Sequence, residues 1–312
     1  PNERLISLPG NFYFDARLIK ALCECNGGAG LIDRNPPPAT LPLLAEGSVS
    51  GATVGDGQSV LDAGDVPSYV VGMRRHIRPV FFPVPVREQH RRAERVILDA
   101  AQNGTLDLPA IVHAPIETLI ISWLCRAPVT PNQITAFGAL VSLGAAFCFA
   151  SGRLWLGMIL ALIFGVIDGL DGKQARVKIE TTKAGKHEHA LDFVLEAIWW
   201  ATLAFWLSRI GESPHAWRYF GVILIADVVD RIAKTIARKH IPVLLDDFSP
   251  VDRFVRLIGA RRNIYIWILA IGLVSGAFGR SYEVCAWWGV ITALVHVVRA
   301  ITVSRGRALP AR

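Results

Sequence analysis

The stretch ITAFGALVSLGAAFCFA occupies residues 134–150 and contains no charged side chain. A second uncharged stretch, IYIWILAIGLVSGAFG, occupies residues 264–279. A helix that crosses the apolar core of a bilayer needs about 20 mostly apolar residues. Apolar stretches of this kind recur from residue 131 to residue 303, which predicts that this part of the chain is a membrane protein.

Six apolar stretches that end at charged or turn residues predict six transmembrane helices. Their approximate bounds are residues 131–152, 153–171, 188–208, 215–235, 262–279 and 282–303. A shorter apolar stretch at residues 116–124 is followed by Pro128 and Pro131, and it predicts a helix that lies in the membrane interface. The predicted fold is an all-α bundle of six transmembrane helices preceded by this interfacial helix.

The chain begins with a segment of different composition. Over all 312 residues, 52% are hydrophobic and 19% are charged, which excludes a disordered chain. Residues 1–112, in contrast, are rich in Pro, Gly and Asp. We therefore expect a cytosolic segment at residues 1–112, a membrane domain at residues 113–304 and a basic tail at residues 305–312. The first residue is Pro1 and no charged segment precedes a short apolar run, which predicts a shortened N terminus without a secretory signal peptide.

Basic side chains are concentrated in two of the predicted connections and in the tail. These residues are Lys173, Arg176, Lys178, Lys183 and Lys186 after the second span, Arg238, Lys239, Arg253, Arg256, Arg261 and Arg262 after the fourth, and Arg305, Arg307 and Arg312 at the end. The positive-inside rule then predicts an integral protein of the cytoplasmic membrane with both termini in the cytoplasm. This topology accounts for the net charge of +7, and the absence of a basic stripe interleaved with aromatic residues argues against nucleic-acid binding. Five scattered cysteines predict neither a disulfide framework nor a zinc site.

The chemistry is expected in the segment DGLDGKQARVKIETTKAGKHEHALDFVLE at residues 168–196. Asp168 and Asp171 are three residues apart at the end of the second span, and Asp192 and Glu196 are four apart at the start of the third, so each pair shares a helix face. Four carboxylates at a membrane border repel one another unless protons or cations offset their charge. Oxygen ligands suit hard ions, so the set predicts binding of Mg²⁺ or Mn²⁺, and two ions could share it.

The residues that follow the first acid predict a nucleotide site. Gly172 and Ala175 lie four and seven residues after Asp168, where their small side chains leave room for a flat group against the helix. Arg176 provides a planar charged group that matches phosphate oxygens, and Lys183 adds positive charge nearby. A purely structural alternative is that the small residues pack helices and the acids are solvated helix ends.

These residues resemble a family signature. DGLDGKQAR, with the later Asp192 and Glu196, resembles the pattern DxxDGxxAR followed by GxxxDxxxD of the CDP-alcohol phosphotransferases, and PVTPNQIT at residues 128–135 resembles the stretch before their first span. Members are six-helix membrane enzymes, usually homodimeric, that transfer a substituted phosphate from a CDP-linked donor to an alcohol and release CMP. They use two divalent ions.

The resemblance implies a role for each matching residue. Asp168, Asp171 and Asp192 would be metal ligands, and Gly172, Ala175 and Arg176 would border the CDP group. The chain departs from the pattern at Glu188, where Gly is expected, and at Glu196, where Asp is expected. We expect Glu196 to be both the general base and a metal ligand.

Four further residues and two histidines have open interpretations. Asp227 and Asp230 either end a helix in solvent or line the acceptor site, and Arg261 and Arg262 either face solvent or contact lipid phosphate. His187 and His189 flank Glu188, but positions two apart do not share a helix face, so we expect interface residues and not a metal site.

The N-terminal segment has a resemblance of its own. LDAGDVPSY at residues 61–69 resembles the LDTGTPxxL stretch of sugar-nucleotide nucleotidyltransferases, in which the residue matching Asp62 binds a metal. Residues 92–135 resemble the join in archaeal-type fusions of an inositol-phosphate cytidylyltransferase to a phosphotransferase. This implies a partial α/β segment and an inositol-phosphate substrate; a cytosolic scaffold without catalysis is the alternative.

Taken together, the sequence predicts a membrane transferase of phospholipid biosynthesis, with a CDP-alcohol donor, an alcohol or lipid acceptor and membrane lipid as its partners. Its active site would lie on the cytoplasmic side. Two rival hypotheses are an ion-coupled transporter, in which intramembrane acids are also expected, and an inactive family member that acts as a scaffold.

Overall fold

The computed structural model describes residue 8 and residues 10–25, 29–43, 59–178 and 188–306. The chain is mostly helical and divides into two compact units, residues 1–104 and residues 105–312. The first unit contains all six described strands, and the second is entirely helical in its described part. The helices of the second unit carry the residues of the predicted site.

The first unit combines helices with pairs of short strands. The strands are β1 (Phe12–Phe14), β2 (Ala29–Ile32), β3 (Ser59–Asp62), β4 (Tyr69–Val70), β5 (Arg75–His76) and β6 (Phe81–Pro83), and the helices are α1 (Ala16–Glu24) and α2 (His90–Ala100). The pairs β1–β6 and β4–β5 are antiparallel, whereas β2–β3 is parallel. Leu18, Leu31 and Phe81 are buried in one core between them. This mixed content agrees with the predicted α/β segment.

The second unit consists of nine described helices. They are α3 (Leu108–Leu124), α4 (Pro131–Ala150), α5 (Leu154–Lys178), α6 (Glu188–Arg209), α7 (Ala216–Arg238), α8 (Leu245–Phe248), α9 (Pro250–Ile258), α10 (Arg262–Val274) and α11 (Phe278–Ser304). Helix α4 packs against α5 and α6, and α7 packs against α11.

The stretch PVTPNQIT starts helix α4 by a capping box. The Thr130 hydroxyl accepts a hydrogen bond from the Gln133 backbone nitrogen at 3.4 Å, and the Gln133 side-chain oxygen accepts one from the Thr130 backbone nitrogen at 2.9 Å. Pro131 at the first helical position has no backbone N–H to leave unpaired. The helix therefore begins at a fixed residue, which also fixes the position of every side chain on its first turns.

Four helices among the described residues are long and apolar enough to cross a membrane: α4, α5, residues 190–209 of α6, and α11. Helices α9 and α10 make a fifth candidate if the pair, which is bent by 47°, is one span. Six spans are therefore not confirmed. Helix α7 has 23 residues but includes Asp227, Asp230, Arg231 and Lys234, and α10 has only 13 residues and ends at Val274, short of the predicted 262–279.

Helix α3 is longer than the predicted interfacial helix and is joined to α5 by polar contacts. Lys173 Nζ donates to Thr118 Oγ1 at 2.7 Å, and its side chain is 1% exposed. Gln174 Nε2 and Lys178 Nζ both donate to the carbonyl oxygen of Val129, at 3.0 Å and 2.7 Å. Two successive turns of α5 are thereby connected to α3 and to the segment that follows it.

Trp199 joins the three helices that surround the predicted site. Its side chain is 2% exposed, and its indole nitrogen donates to the carbonyl oxygen of Ser142 at 2.8 Å. The ring also makes edge contacts with Phe149 and Phe164, at centroid distances of 6.1 Å and 5.5 Å. One side chain of α6 therefore contacts both α4 and α5.

We expect Trp199→Ala to destabilise the helical unit by about 3 kcal/mol, because it removes a buried aromatic ring together with its hydrogen bond. The matched control is Trp155→Ala on α5, where the tryptophan is 60% exposed. Unfolding of the purified variants in a graded denaturing detergent would measure the difference. Equal losses of stability in both variants would show that Trp199 does not join the helices.

Candidate functional site

The signature acids lie on two adjoining helices, α5 and α6. One small cavity, the first cavity, is lined by Asp168, Asp171 and Asp192 together with Thr135 of α4. Glu196 lines a different one, the second cavity, between α6, α7, α10 and α11. The four acids are called the four-acid cluster. The sequence pattern predicted that all four converge; three line the first cavity and Glu196 lines the second. Their role as metal ligands stays a prediction.

Asp171 is the most buried member of the four-acid cluster, with 6% of its surface exposed. Its Oδ2 accepts a hydrogen bond from Thr135 Oγ1 at 2.6 Å, and its Oδ1 accepts one from the Gly172 backbone nitrogen at 2.6 Å. Thr135 is the last residue of the stretch PVTPNQIT, and the sequence pattern predicted no role for it. It holds one carboxylate in place from the opposite wall of the first cavity.

Arg262 is a basic residue that contacts the four-acid cluster, and it is 8% exposed. Its Nη2 contacts Asp168, and its Nη1 lies 3.5 Å from Glu196 Oε1 and 4.0 Å from Asp192 Oδ1. The guanidinium also lies 4.6 Å from the centroid of the Phe164 ring. The solvent-exposed interpretation of Arg262 is therefore wrong, because the residue is enclosed by acids that precede it by more than sixty positions in the chain.

The donor set of the four-acid cluster fits a hard divalent ion, since all four side chains offer carboxylate oxygens. In the arrangement described, however, no group of three or more His, Cys, Asp or Glu residues is spaced to hold a metal ion, as far as the described residues go. The guanidinium of Arg262 lies among these oxygens and contacts Asp168 and Glu196. The carboxylates are thus of the kind that binds a divalent ion, but their present spacing is not that of a metal site.

The predicted nucleotide-binding residues follow on α5. A Cβ atom at Gly172 would lie 3.2 Å from Arg176 Nη1, so the Arg176 guanidinium lies close against the backbone that the glycine leaves open. Ala175 is partly exposed on the same helix. Lys183, Lys186 and His187 lie outside the described residues, as do the side chains of Glu188 and His189.

Glu117 of α3 was missed by the sequence analysis. It is 8% exposed, and its carboxylate lies so close to the backbone of α5 that a Cβ atom at Gly169 would be 2.5 Å from Oε1. Burial raises the pKa of Glu117 to about 7, although the nearby Lys173 opposes this change. The available signal was a single acid in the apolar stretch IETLIISWL, which begins at residue 116.

The second cavity brings Glu196 together with acids of α7. Asp227 and Asp230 line it, along with Arg261, Arg262 and Tyr265. Each aspartate already has a basic partner on its own helix: Asp227 is paired with Arg231 at 2.8 Å and Asp230 with Lys234 at 2.9 Å.

The remaining contacts of this region lead away from the four-acid cluster. Asp230 also contacts His296 of α11. Arg261 Nε lies 3.6 Å from Asp107 Oδ2, and the Arg261 side chain is 39% exposed. The two neighbouring arginines therefore differ, because Arg262 lies among the signature acids and Arg261 does not.

In the first unit, Asp62 has contacts other than those of a metal ligand. Its Oδ1 accepts a hydrogen bond from the Gly64 backbone nitrogen at 2.9 Å and lies 4.0 Å from Arg78 Nη2. Arg78 also contacts Asp33 at 2.5 Å, and burial raises the pKa of Asp33 in spite of this partner. Metal binding by Asp62 stays a prediction.

Known proteins similar to this chain include bifunctional IPC transferase and DIPP synthases and phosphatidylinositol phosphate synthases. The bifunctional IPC transferase and DIPP synthase of Rubrobacter xylanophilus is 29% identical over 223 residues, which are 70% of this chain and 47% of that protein. The phosphatidylinositol phosphate synthase of Mycobacteroides abscessus is 29% identical over 190 residues, which are 60% of this chain and 82% of that protein. The chain thus spans about half the length of the first of these relatives.

Among solved structures, the crystal structure of Mycobacterium tuberculosis phosphatidylinositol phosphate synthase with CDP-DAG bound has 21% sequence identity and a TM-score of 0.48. The similarity covers 60% of this chain and 94% of that one. The sequence model described as CDP-alcohol phosphatidyltransferase matches residues 128–295, which include the whole signature from Asp168 to Glu196. This match extends over more than half of the chain, and the chain therefore belongs to the CDP-alcohol phosphatidyltransferase family.

Proposed function

We propose that this protein is a membrane transferase that moves a substituted phosphate from a CDP-alcohol to an acceptor alcohol and releases CMP, as a step of phospholipid biosynthesis. The observation that carries the proposal is the common cavity of Asp168, Asp171 and Asp192, next to the turn of α5 that bears Gly172 and Arg176. The names of the relatives suggest a product that contains inositol phosphate. Six transmembrane helices, cytoplasmic termini and a homodimer belong to the same proposal.

Asp168, Asp171 and Asp192 would hold Mg²⁺ or Mn²⁺, with Glu196 as a further ligand and two ions sharing the set. When bound, such ions would supply positive charge to offset that of the diphosphate and of the departing CMP. Asp171 is the best-oriented donor, since Thr135 and the Gly172 backbone fix both of its oxygens. The residues of the chain supply position and charge, which is the main contribution a protein makes to phosphoryl transfer.

The nucleotide would lie along α5. Gly172 and Ala175 leave the helix backbone accessible, and the guanidinium of Arg176 beside Gly172 would bind a phosphate oxygen in a bidentate manner. Lys183 would add charge from the segment between α5 and α6. These four residues form the substrate-binding set of the proposal.

Glu196 would take the proton from the acceptor hydroxyl. It lines the second cavity together with Arg262, and Asp227 and Asp230 of α7 line the same cavity. A carboxylate between the donor side and a second cavity is suitably placed to accept a proton from an alcohol that enters there. Donor and acceptor would then approach from different sides.

The proposal is tested by divalent-ion-dependent release of CMP from CDP-alcohols by the purified full chain in detergent. CDP-diacylglycerol and CDP-inositol, each supplied with inositol phosphate, distinguish the two donor classes suggested by the relatives. No CMP release with any donor would favour the scaffold hypothesis, and ion-driven uptake into vesicles without CMP release would favour the transporter.

We expect Asp171→Asn to abolish CMP release while leaving the protein folded, because the amide keeps the shape of the side chain but loses its charge for the divalent ion. The control is Asp99→Asn, the same change at an aspartate whose side chain is 71% exposed in the first unit. Asp168→Asn and Asp192→Asn should behave like Asp171→Asn. Full activity of Asp171→Asn, or of the wild type in excess chelator, would refute the metal-dependent mechanism.

We expect Ala175→Leu to weaken CMP binding by at least about tenfold, equivalent to about 1.4 kcal/mol, because the larger side chain fills the space beside the helix. Binding of the divalent ion should be unchanged. Calorimetry of CMP binding measures the effect, with Ala136→Leu at an exposed alanine of α4 as the control. If CMP binds to Ala175→Leu as it does to the wild type, the small residues serve helix packing only.

We expect Glu196→Gln to lower the chemical rate by about 10² to 10⁴ while the donor still binds almost normally, because glutamine has a similar shape but does not accept the proton. Single-turnover kinetics and donor binding are measured on the same preparation. Joint loss of metal and donor binding would make Glu196 primarily a ligand. An unimpaired variant would assign the base to another acid and contradict our alignment of the second half of the signature.

A further inference from the structure

Arg262 contacts three members of the four-acid cluster, Asp168, Asp192 and Glu196. It begins helix α10, whereas its carboxylate partners belong to α5 and α6. The residue is 8% exposed, and Phe164 covers one face of its guanidinium at 4.6 Å. A buried charge in this position is held by the acids around it and not by water.

We propose that Arg262 is the resident counter-ion of the four-acid cluster, and that its guanidinium competes with a divalent ion for the same carboxylates. The inference rests on the proposed function, because it takes the cluster to be the site of that ion. Like charges at short range repel strongly in a partly buried site. An ion that binds Asp168 Oδ2 or Glu196 Oε1 must either displace the guanidinium from these oxygens or bind against its repulsion.

The hydrogen bonding of Arg262 is suited to displacement. Its Nε and Nη1 atoms are buried and have no hydrogen-bond partner among the residues that the structure describes. A structural arginine in a buried ion pair normally satisfies its N–H groups, since unpaired ones are costly. Arg262 is thus held mainly by electrostatic attraction to the carboxylates. A divalent ion that binds the same oxygens neutralises their charge and so removes this attraction.

The surroundings also provide a place for the displaced guanidinium. Arg262 lines the second cavity as well as contacting the four-acid cluster, and the carboxylates of Asp227 and Asp230 lie on that side. Each of these aspartates already has a basic partner. Their negative charge would still lower the electrostatic energy of a guanidinium nearby, although neither aspartate needs it as a partner. Loading of the ion and withdrawal of Arg262 toward the second cavity would then be one event.

Two opposite effects follow for a variant without this charge. Removing the guanidinium leaves the carboxylates uncompensated, so the ion-free protein should become less stable. The same change removes the competitor, so the ion should bind more tightly. A residue that only packs against its neighbours would produce the first effect without the second.

The experiment compares Arg262→Met with Arg261→Met in the full chain, purified in detergent without nucleotide. Mn²⁺ binding is measured by the electron paramagnetic resonance signal of the free ion. We expect at least about tenfold tighter binding in Arg262→Met and wild-type binding in Arg261→Met, whose guanidinium faces Asp107. Arg262→Lys, which keeps the charge, should resemble the wild type.

Thermal unfolding in chelator and in Mn²⁺ gives a second measurement. Arg262→Met should unfold at a lower temperature than the wild type in chelator, and Mn²⁺ should raise its unfolding temperature by more. Should Arg262→Met fail to fold without the ion, Arg262→Gln replaces it in both measurements. Wild-type or weaker Mn²⁺ binding by these neutral variants overturns the proposal while leaving the metal site intact, whereas absence of Mn²⁺ binding in the wild type overturns the proposed metal site as well.

Discussion

Four carboxylates at the ends of two apolar helices stay close together only if positive charge lies among them. In this protein the guanidinium of Arg262, which begins a third helix, contacts three of the four. Because desolvated like charges are costly, the positions of α5, α6 and α10 are linked by the same requirement. The rest of the site follows from it: the first cavity opens between α4, α5 and α6, and the second opens on the other side of the arginine.

The apolar packing of the bundle gives these charges their fixed geometry. Trp199 holds α6 against α4 and α5, one to two turns from Asp192 and Glu196. On the other side, Lys173, Gln174 and Lys178 connect α5 to α3 and the segment after it. Precise placement of reacting groups is a large part of phosphoryl-transfer catalysis. The contacts that determine it here are made by residues that would never touch the substrate.

The sequence predicted the helical unit with its apolar helices, because this depends on local periodicity. It also predicted that four signature acids converge from short spacings within one segment, and three of them line one cavity whereas Glu196 lines another. It did not predict the partnership of Arg262, which depends on how α10 packs against helices that lie far away in the chain. The contacts of Glu117 and Thr135 with α5 were not predicted for the same reason. Each residue belongs to another helix, so no short spacing in the sequence connects it to the signature acids.

The count of spans shows a different limit of sequence reasoning. Helix α7 was predicted as a span from its apolar half, but its other half carries acidic and basic residues that form i,i+4 pairs. The acidic members of these pairs, Asp227 and Asp230, line the second cavity. Hydropathy averages over a window and does not tell whether a charged residue faces lipid or an internal cavity.

The position of Glu196 accounts for the departure of this chain from its family pattern. A glutamate carboxylate reaches about one methylene farther than that of aspartate, and here it lies in the second cavity and 3.5 Å from Arg262, apart from the first cavity that its three fellow acids share. An aspartate at the same backbone position would hold its carboxylate closer to α6 and farther from that arginine. The longer side chain thus extends the acidic surface from the first cavity into the second. The carboxylate that differs from the pattern is also the one that links the predicted donor side to the predicted acceptor side.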